Sequence, residues 1–298
     1  VISALLSPKI EKIKEWAKEK QLKGKLEPDI LSEIMDRYLI SLANRVTETT
    51  TIAFQLKMDI FEAYEPLALT SFASLRSNST FEAQDLINEK LKSIIIIDNA
   101  GMGKSTFSKY VAASLLASSN RIPIFFELRK TKKEFDLIEN IAREFDFPGI
   151  SFNRDLFYKL LGLGKFFVIL DGFHETPLEL QENLSNQIHD LSVKGGKNIL
   201  MLTSRQQDIT PNIIESEHLT FLPFIKEQAI SLLKRYDSIA KIDIGDRLTK
   251  EIDNVPAKFI EEALARGLKT FKPEERPILR LAAIDAWTSA KDGLVNFF

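Results

Sequence analysis

The sequence contains no cysteine. Disulfides, thiolate catalysis and cysteine-ligated zinc are therefore excluded, and a reducing compartment is compatible with the absence. An excess of either charge is also missing: 40 Lys and Arg stand against 42 Asp and Glu, a formal net charge of −2. No broad basic field is available to attract nucleic acid or an anionic membrane. No apolar run approaches the ~20 residues that span a bilayer, and no secretory signal is visible. The three histidines, His174, His189 and His218, fall in unrelated segments, so no histidine metal cluster is apparent. Repeats of roughly 20 to 50 residues and low-complexity tracts are absent as well. What is left is an ordinary globular composition, 44% hydrophobic and 28% charged over 298 residues, enough for one large domain or two modest ones. A cytoplasmic protein is expected. Val1 in place of methionine, and an apolar close on Gly293-Leu294-Val295-Asn296-Phe297-Phe298, lead us to expect a fragment of a longer chain.

The order of patterns along the chain predicts an α/β fold flanked by helical regions. Residues 1–78 read as an N-terminal helical region or linker. Ser7-Pro8 starts a helix there, and a second follows Pro28 with Ile30, Ile34, Tyr38, Leu42 and Val46 on one face. Thr47 to Thr51 is polar and β-branched, a loop or an edge strand. Ser79-Thr80-Phe81-Glu82 fits a capping box. Residues 79–225 then alternate continuous apolar strands with helices, which predicts a five-stranded, mainly parallel sheet between helices. The expected strands are Ile94–Ile97, Ile122–Leu128, Phe166–Leu170, Asn198–Thr203 and His218–Leu222. The expected helices cover Lys104–Ala117, about 133–146, 153–162 and 178–193. Residues 226–298 read as a helical subdomain whose first helix spans Glu227–Arg235 and whose others cover Asp246–Ile252, Ala257–Leu268 and Pro277–Ser289.

The most specific segment is Ser93 to Thr106, SIIIIDNAGMGKST. A buried strand runs into a glycine turn and a helix begins with its N–H groups converging on one point, which suits a phosphate. Asn99, Ala100, Gly101, Met102, Gly103, Lys104, Ser105 and Thr106 would form the cradle. Lys104 supplies a point charge for the outer phosphates, the Ser105 hydroxyl is placed for Mg²⁺ and Thr106 for the inner phosphate. A glycine-rich turn with no ligand is the alternative. The P-loop pattern asks for glycine six residues before the lysine, where this chain has Asp98. A carboxylate ~6 Å from a phosphate charge, at an effective dielectric of ~20, would be repelled by about 3 kcal/mol. That is around a hundredfold in affinity. The Asp98 side chain is thus expected to turn away or to bond nearby backbone, and Asp98→Gly to leave binding intact or tighten it.

Two further strand ends carry polar groups. Phe166 to Leu170 runs into Asp171, a position from which a carboxylate holds Mg²⁺ through water, and Glu175 lies four residues on, where it would orient or deprotonate an attacking water. The alternative for Asp171 is a turn cap beside Gly172. His174 between them reads as a hydrogen-bonded or solvent-facing histidine. Thr203-Ser204-Arg205 ends the fourth strand, and strand C-termini line the ligand crevice in such sheets. Arg205 would touch the terminal phosphate there, or else be a surface arginine.

Taken together these segments resemble the NACHT family of STAND NTPases, the signal-transduction NTPases related to animal NLR receptors and bacterial antiviral NACHT proteins. The family loop, roughly G-x-A-G-x-G-K-S-T, is matched by DNAGMGKST except at Asp98. Its D-G-hydrophobic-D-E segment is matched by Asp171-Gly172-Phe173-His174-Glu175 except at His174, and its T-S-R by Thr203-Ser204-Arg205. Leu222-Pro223-Phe224 with Glu227-Gln228-Ala229, and Tyr64-Glu65-Pro66-Leu67, look like further family segments. The resemblance covers about 60 to 237. It implies a P-loop NTPase that holds ATP or ADP with Mg²⁺, exchanges them on a trigger, hydrolyses slowly and self-associates to activate an effector in antiviral or innate immune defence. It also implies a catalytic set of Lys104, Glu175 and Arg205, a nucleotide contact from Pro223, and Mg²⁺ held by Ser105 and, through water, by Asp171. The sensor of the trigger would lie outside this chain. Two other classes remain: a P-loop kinase or other dedicated NTP-using enzyme, with Arg129-Lys130-Thr131-Lys132-Lys133 as a lid rather than a solvated loop, and a nucleic-acid motor, against which the neutral charge speaks.

Overall fold

A computed structural model describes residues 28–50, 57–72, 80–88, 91–99, 101–118, 120–131, 136–145, 157–158, 161–162, 164–205, 211–222 and 226–240. In chain order the elements are α1 (Pro28–Val46), β1 (Glu48–Thr50), β2 (Lys57–Asp59), α2 (Ile60–Ala63), β3 (Leu69–Ser71), β4 (Thr80–Phe81), α3 (Ala83–Ile87), β5 (Ser93–Ile97), α4 (Lys104–Ser118), β6 (Ile122–Glu127), α5 (Leu137–Arg143), β7 (Phe166–Asp171), α6 (Leu178–Lys194), β8 (Ile199–Ser204), β9 (Ser216–Phe221) and α7 (Lys226–Ala240). They fall into two compact units, one within 1–47 and 69–220, the other within 48–68 and 221–298.

The first unit is built on a sheet of order β4-β3-β9-β5-β8-β7-β6. The five strands β9, β5, β8, β7 and β6 pair in parallel. Their apolar runs are buried along their length: Ile94 to Ile96, Phe166 to Leu170 and Ile199 to Leu202 are each at most 5% exposed. Strands buried on both faces need no polar alternation, which is why these segments are continuous in the sequence. Register brings the strand ends level, with Ile97 opposite Ser204 and Glu127 opposite Asp171. In sequence β6 separates the loop strand β5 from the acid strand β7. In space β8 does, so Ser204 and Arg205 emerge between the glycine loop and Asp171.

Among the described residues this sheet has seven strands where five were expected. The additional two, β3 and β4, form an antiparallel pair beside β9. They have three and two residues, too short for alternation to register. Thr80 and Phe81 belong to β4 and not to a helix cap. The capping box sits lower, where the Asp85 carboxylate accepts from the Glu82 N–H at 2.9 Å and α3 starts at Ala83. Helix α5 is shorter than expected, beginning after Asp136, whose side chain accepts from the Glu139 N–H at 2.7 Å. Helix α1 buries Ile34, Tyr38, Leu42 and Val46, as its spacing predicts, and packs on α4. The expected helices at Ser7-Pro8 and beyond residue 240 lie outside the described residues.

In the second unit β1 and β2 pair antiparallel, so the Thr47–Thr51 stretch contributes a short strand. Helix α7 grips the segment before β3 through residues spaced along one face. Gln228 Nε2 donates to the Pro66 carbonyl at 3.0 Å, Ser231 Oγ to Glu65 Oε2 at 2.9 Å, and Arg235 Nε pairs with the same oxygen at 3.0 Å. Glu65 is 9% exposed, and these two donors answer the cost of its burial.

Candidate phosphate-binding site

Strand β5 ends at Ile97 and helix α4 begins at Lys104, so the intervening turn must reverse within a few residues. It does so through Gly101 at φ 86° and Gly103 at φ 82°, a region costly for residues with a Cβ. A Cβ built on Gly101 meets nothing within 4 Å. The glycine therefore faces an open cradle, which fits a ligand approaching the backbone closely.

Lys104 is the centre of charge. It is 7% exposed, and its ammonium donates to the Asp98 carbonyl at 2.7 Å and to the Asn99 carbonyl. Burial pushes Lys104 below the usual lysine range; Asp98, Asp171 and Glu175 pull it back up and Arg205 pushes it further down. Residues spread over more than 100 positions of sequence thus act electrostatically on one ammonium. Glu175 and Arg205 are within electrostatic reach of Lys104, as are Asp98 and Asp171. Ser105 is exposed and Thr106 half-buried in the first turn of α4, while Asn99 and Met102 are half-buried in the loop. Ala100 and Pro223 lie outside the described residues.

The carboxylates differ in how they are held. Asp171 is 6% exposed, and its Oδ1 accepts from Thr203 Oγ1 at 2.7 Å and Ser108 Oγ at 3.0 Å. Thr203 Oγ1 in turn accepts from the Gly172 N–H at 2.8 Å, fixing the turn after the acid. Glu175 is exposed, on a single 3₁₀ turn that Gly172 enters at φ 81°. A Cβ at Gly172 would lie 3.2 Å from the Glu175 Cδ, so glycine lets Glu175 fold over the turn. His174 Nε2 stands 3.7 Å from Glu175 Oε1. Arg205 is exposed just past β8. Asp98 is bonded locally, as anticipated: Oδ1 accepts from the Asn99 N–H at 2.7 Å and Oδ2 from Thr220 Oγ1 at 2.8 Å.

Three members of this network escaped the sequence reading. Ser108 follows Lys104 by one helical turn, and that i+4 spacing is the signal that would have placed it beside the site. The Thr203 hydroxyl was visible only as part of a T-S-R motif. Thr220 had no sequence signal, because its partner is 122 residues away. Arg129 and Lys130 are paired with Glu127; Lys132 and Lys133 lie outside the described residues. Among the described residues no group of three His, Asp or Glu side chains could hold a metal alone. No helix among them is long and apolar enough to cross a membrane.

No protein-family model and no curated protein matches the chain. Solved structures with which it aligns include Cdc6p from Pyrobaculum aerophilum, at 13% identity and a TM-score of 0.37 over 53% of this chain and 48% of that one. Another is the Holliday junction branch migration motor RuvB of Thermotoga maritima, at 14% identity and a TM-score of 0.33 over 69% and 67%. This chain thus spans about half the length of the first. Such values carry no functional argument. The parallel sheet flanked by helices, with a glycine loop between β5 and α4, is the mixed α/β architecture that the sequence led us to expect.

Proposed function

We propose that the chain is an ATP- or ADP-binding signalling switch of the STAND/NACHT type, in which exchange and slow hydrolysis of nucleotide control self-association and activation of an effector. Antiviral or innate immune defence is the setting its motifs resemble, with 79–225 as the nucleotide core and 226–298 as its helical subdomain. The observation that carries the reading is the convergence of Asp98, Asp171, Glu175 and Arg205 on a buried Lys104 beside the open Gly101 cradle. A desolvated ammonium at a helix N-terminus is stabilised by an anion, and loop N–H groups add to the attraction.

In this reading Lys104 and the amides of residues 99 to 106 hold the phosphates. Ser105 and Asp171 would hold Mg²⁺, Asp171 through water, with Ser108 and Thr203 orienting the carboxylate. Bound Mg²⁺ would neutralise phosphate charge as it develops. Glu175 accepts the proton of a water, and its exposure leaves room for that water. Arg205, emerging between loop and acid, contacts the terminal phosphate. His174 stands where the NACHT family carries an acid, which favours slow hydrolysis over rapid turnover. Pro223 remains a proposed nucleotide contact.

The test is to identify the nucleotide that co-purifies and to measure turnover. Retained ADP and slow hydrolysis are expected. Fast turnover by the chain alone would overturn the switch, and no nucleotide affinity at all would overturn the whole reading.

A further inference from the structure

The P-loop pattern has glycine where this chain has Asp98, a buried carboxylate beside a loop suited to anions. Such a charge would repel phosphate unless something governs where it points. Two groups do. The Asn99 N–H takes Oδ1, and the Thr220 hydroxyl, on neighbouring strand β9, takes Oδ2. Register explains the second contact. Ile96 pairs with Leu219, so Thr220 stands level with the end of β5, one residue short of Asp98. The Asp98 N–H is meanwhile anchored to the Ser204 carbonyl of β8 at 3.2 Å. The loop entrance is thus tied to both flanking strands, through the backbone on one side and through a carboxylate on the other. Glycine would supply only the first tie.

Resting on the nucleotide-binding reading, we propose that Thr220 is a positioning residue for the phosphate loop: by holding the Asp98 carboxylate against β9 it keeps that charge off the phosphate position, and the pair thereby sets how fast the loop releases nucleotide. Asp98 and Thr220 then act in opposite directions. The carboxylate weakens binding through its charge, and the hydroxyl limits that weakening through its hydrogen bond. A merely structural pair would act in one direction, since loss of either partner would loosen the same loop.

The experiment is stopped-flow release of N-methylanthraniloyl-ADP from the full chain and four variants. Asp98→Asn keeps the shape and removes the charge, and should slow release roughly tenfold. Thr220→Val keeps the shape and removes the hydroxyl, and should speed release roughly threefold to tenfold. The double variant should behave as Asp98→Asn, because a free amide has no charge to misplace. Thr220→Ser should restore the unsubstituted rate. If Thr220→Val fails to fold, as melting without nucleotide would reveal, Thr220→Ala reads the same loss. Shifts of Asp98→Asn and Thr220→Val in one direction, or persistence of the Thr220→Val effect in the double variant, would overturn the proposal while leaving nucleotide binding standing. Absence of ADP binding by every form would overturn the underlying reading and the proposal with it.

Discussion

The two ends of the parallel sheet both carry hydrogen-bonded polar side chains, half-buried at one end and largely buried at the other, and they use them differently. At the N-terminal end the partners are backbone groups. Arg121 Nη1 donates to the carbonyls of Gly164 at 2.8 Å and Lys197 at 2.9 Å. Asn198 accepts from the Phe166 N–H at 2.9 Å and donates to the carbonyls of Leu161 at 2.7 Å and Gly195 at 2.6 Å. Those bonds add partners to backbone groups at the strand starts, the Phe166 N–H among them. At the C-terminal end, carboxylates are held by hydroxyls: Asp171 by Ser108 and Thr203, Asp98 by Thr220. Charges are gathered there around Lys104. One end satisfies the backbone; the other orients charge. A bonded polar side chain at a strand end therefore does not by itself mark a functional site, whereas the kind of partner does.

The contrast can be broken by substitution. At the C-terminal end, Glu175→Gln should reduce hydrolysis by roughly 10² or more, the usual contribution of a general base. Nucleotide affinity should stay within about twofold in the same protein. An equal loss in both would mean that Glu175 holds the loop instead. Lys104→Ala should weaken nucleotide binding by about a hundredfold, or ~2.7 kcal/mol, in a fluorescent-nucleotide titration. Retained affinity there would move the site elsewhere.

At the opposite end, Asn198→Ala should cost about 2 kcal/mol in urea unfolding, since it takes the acceptor from the Phe166 N–H and one of two donors from each of the Leu161 and Gly195 carbonyls. Its folded fraction should bind nucleotide normally. A selective loss of binding would erase the distinction between the two ends.

The smallest effect is in pH. Burial lowers Lys104 below the ordinary lysine pKa of 10.5. Phosphate favours the protonated amine, so affinity should fall as pH rises through the lowered value, with proton uptake on binding seen by calorimetry in buffers of different ionisation enthalpy. Folding without nucleotide has the opposite sign. The unfolded chain binds more protons between the lowered value and 10.5, so Lys104 makes stability rise with pH across that window. Lys104→Ala should remove both trends, and Asn198→Ala neither.

The parallel strands were legible because each is buried on both faces and so reads as an unbroken apolar run. The turn at Gly101 and Gly103 was legible because left-handed backbone favours glycine. The β3–β4 pair was not, because strands of three and two residues have no room for a period. Asp98 could be recognised as aberrant from sequence, and its need for a local partner followed from charge. The identity of Thr220 did not follow.

By itself the sequence determined the α/β class, the loop, and the kinds of side chain at the strand ends, since these depend on local periodicity and on residue chemistry. Only the tertiary structure decided that β8 lies between loop and acid, that Ser108 and Thr203 share Asp171, and that Thr220 meets Asp98. Strand order and register join residues far apart in the chain, and no local pattern encodes which distant strand a given edge will pair with.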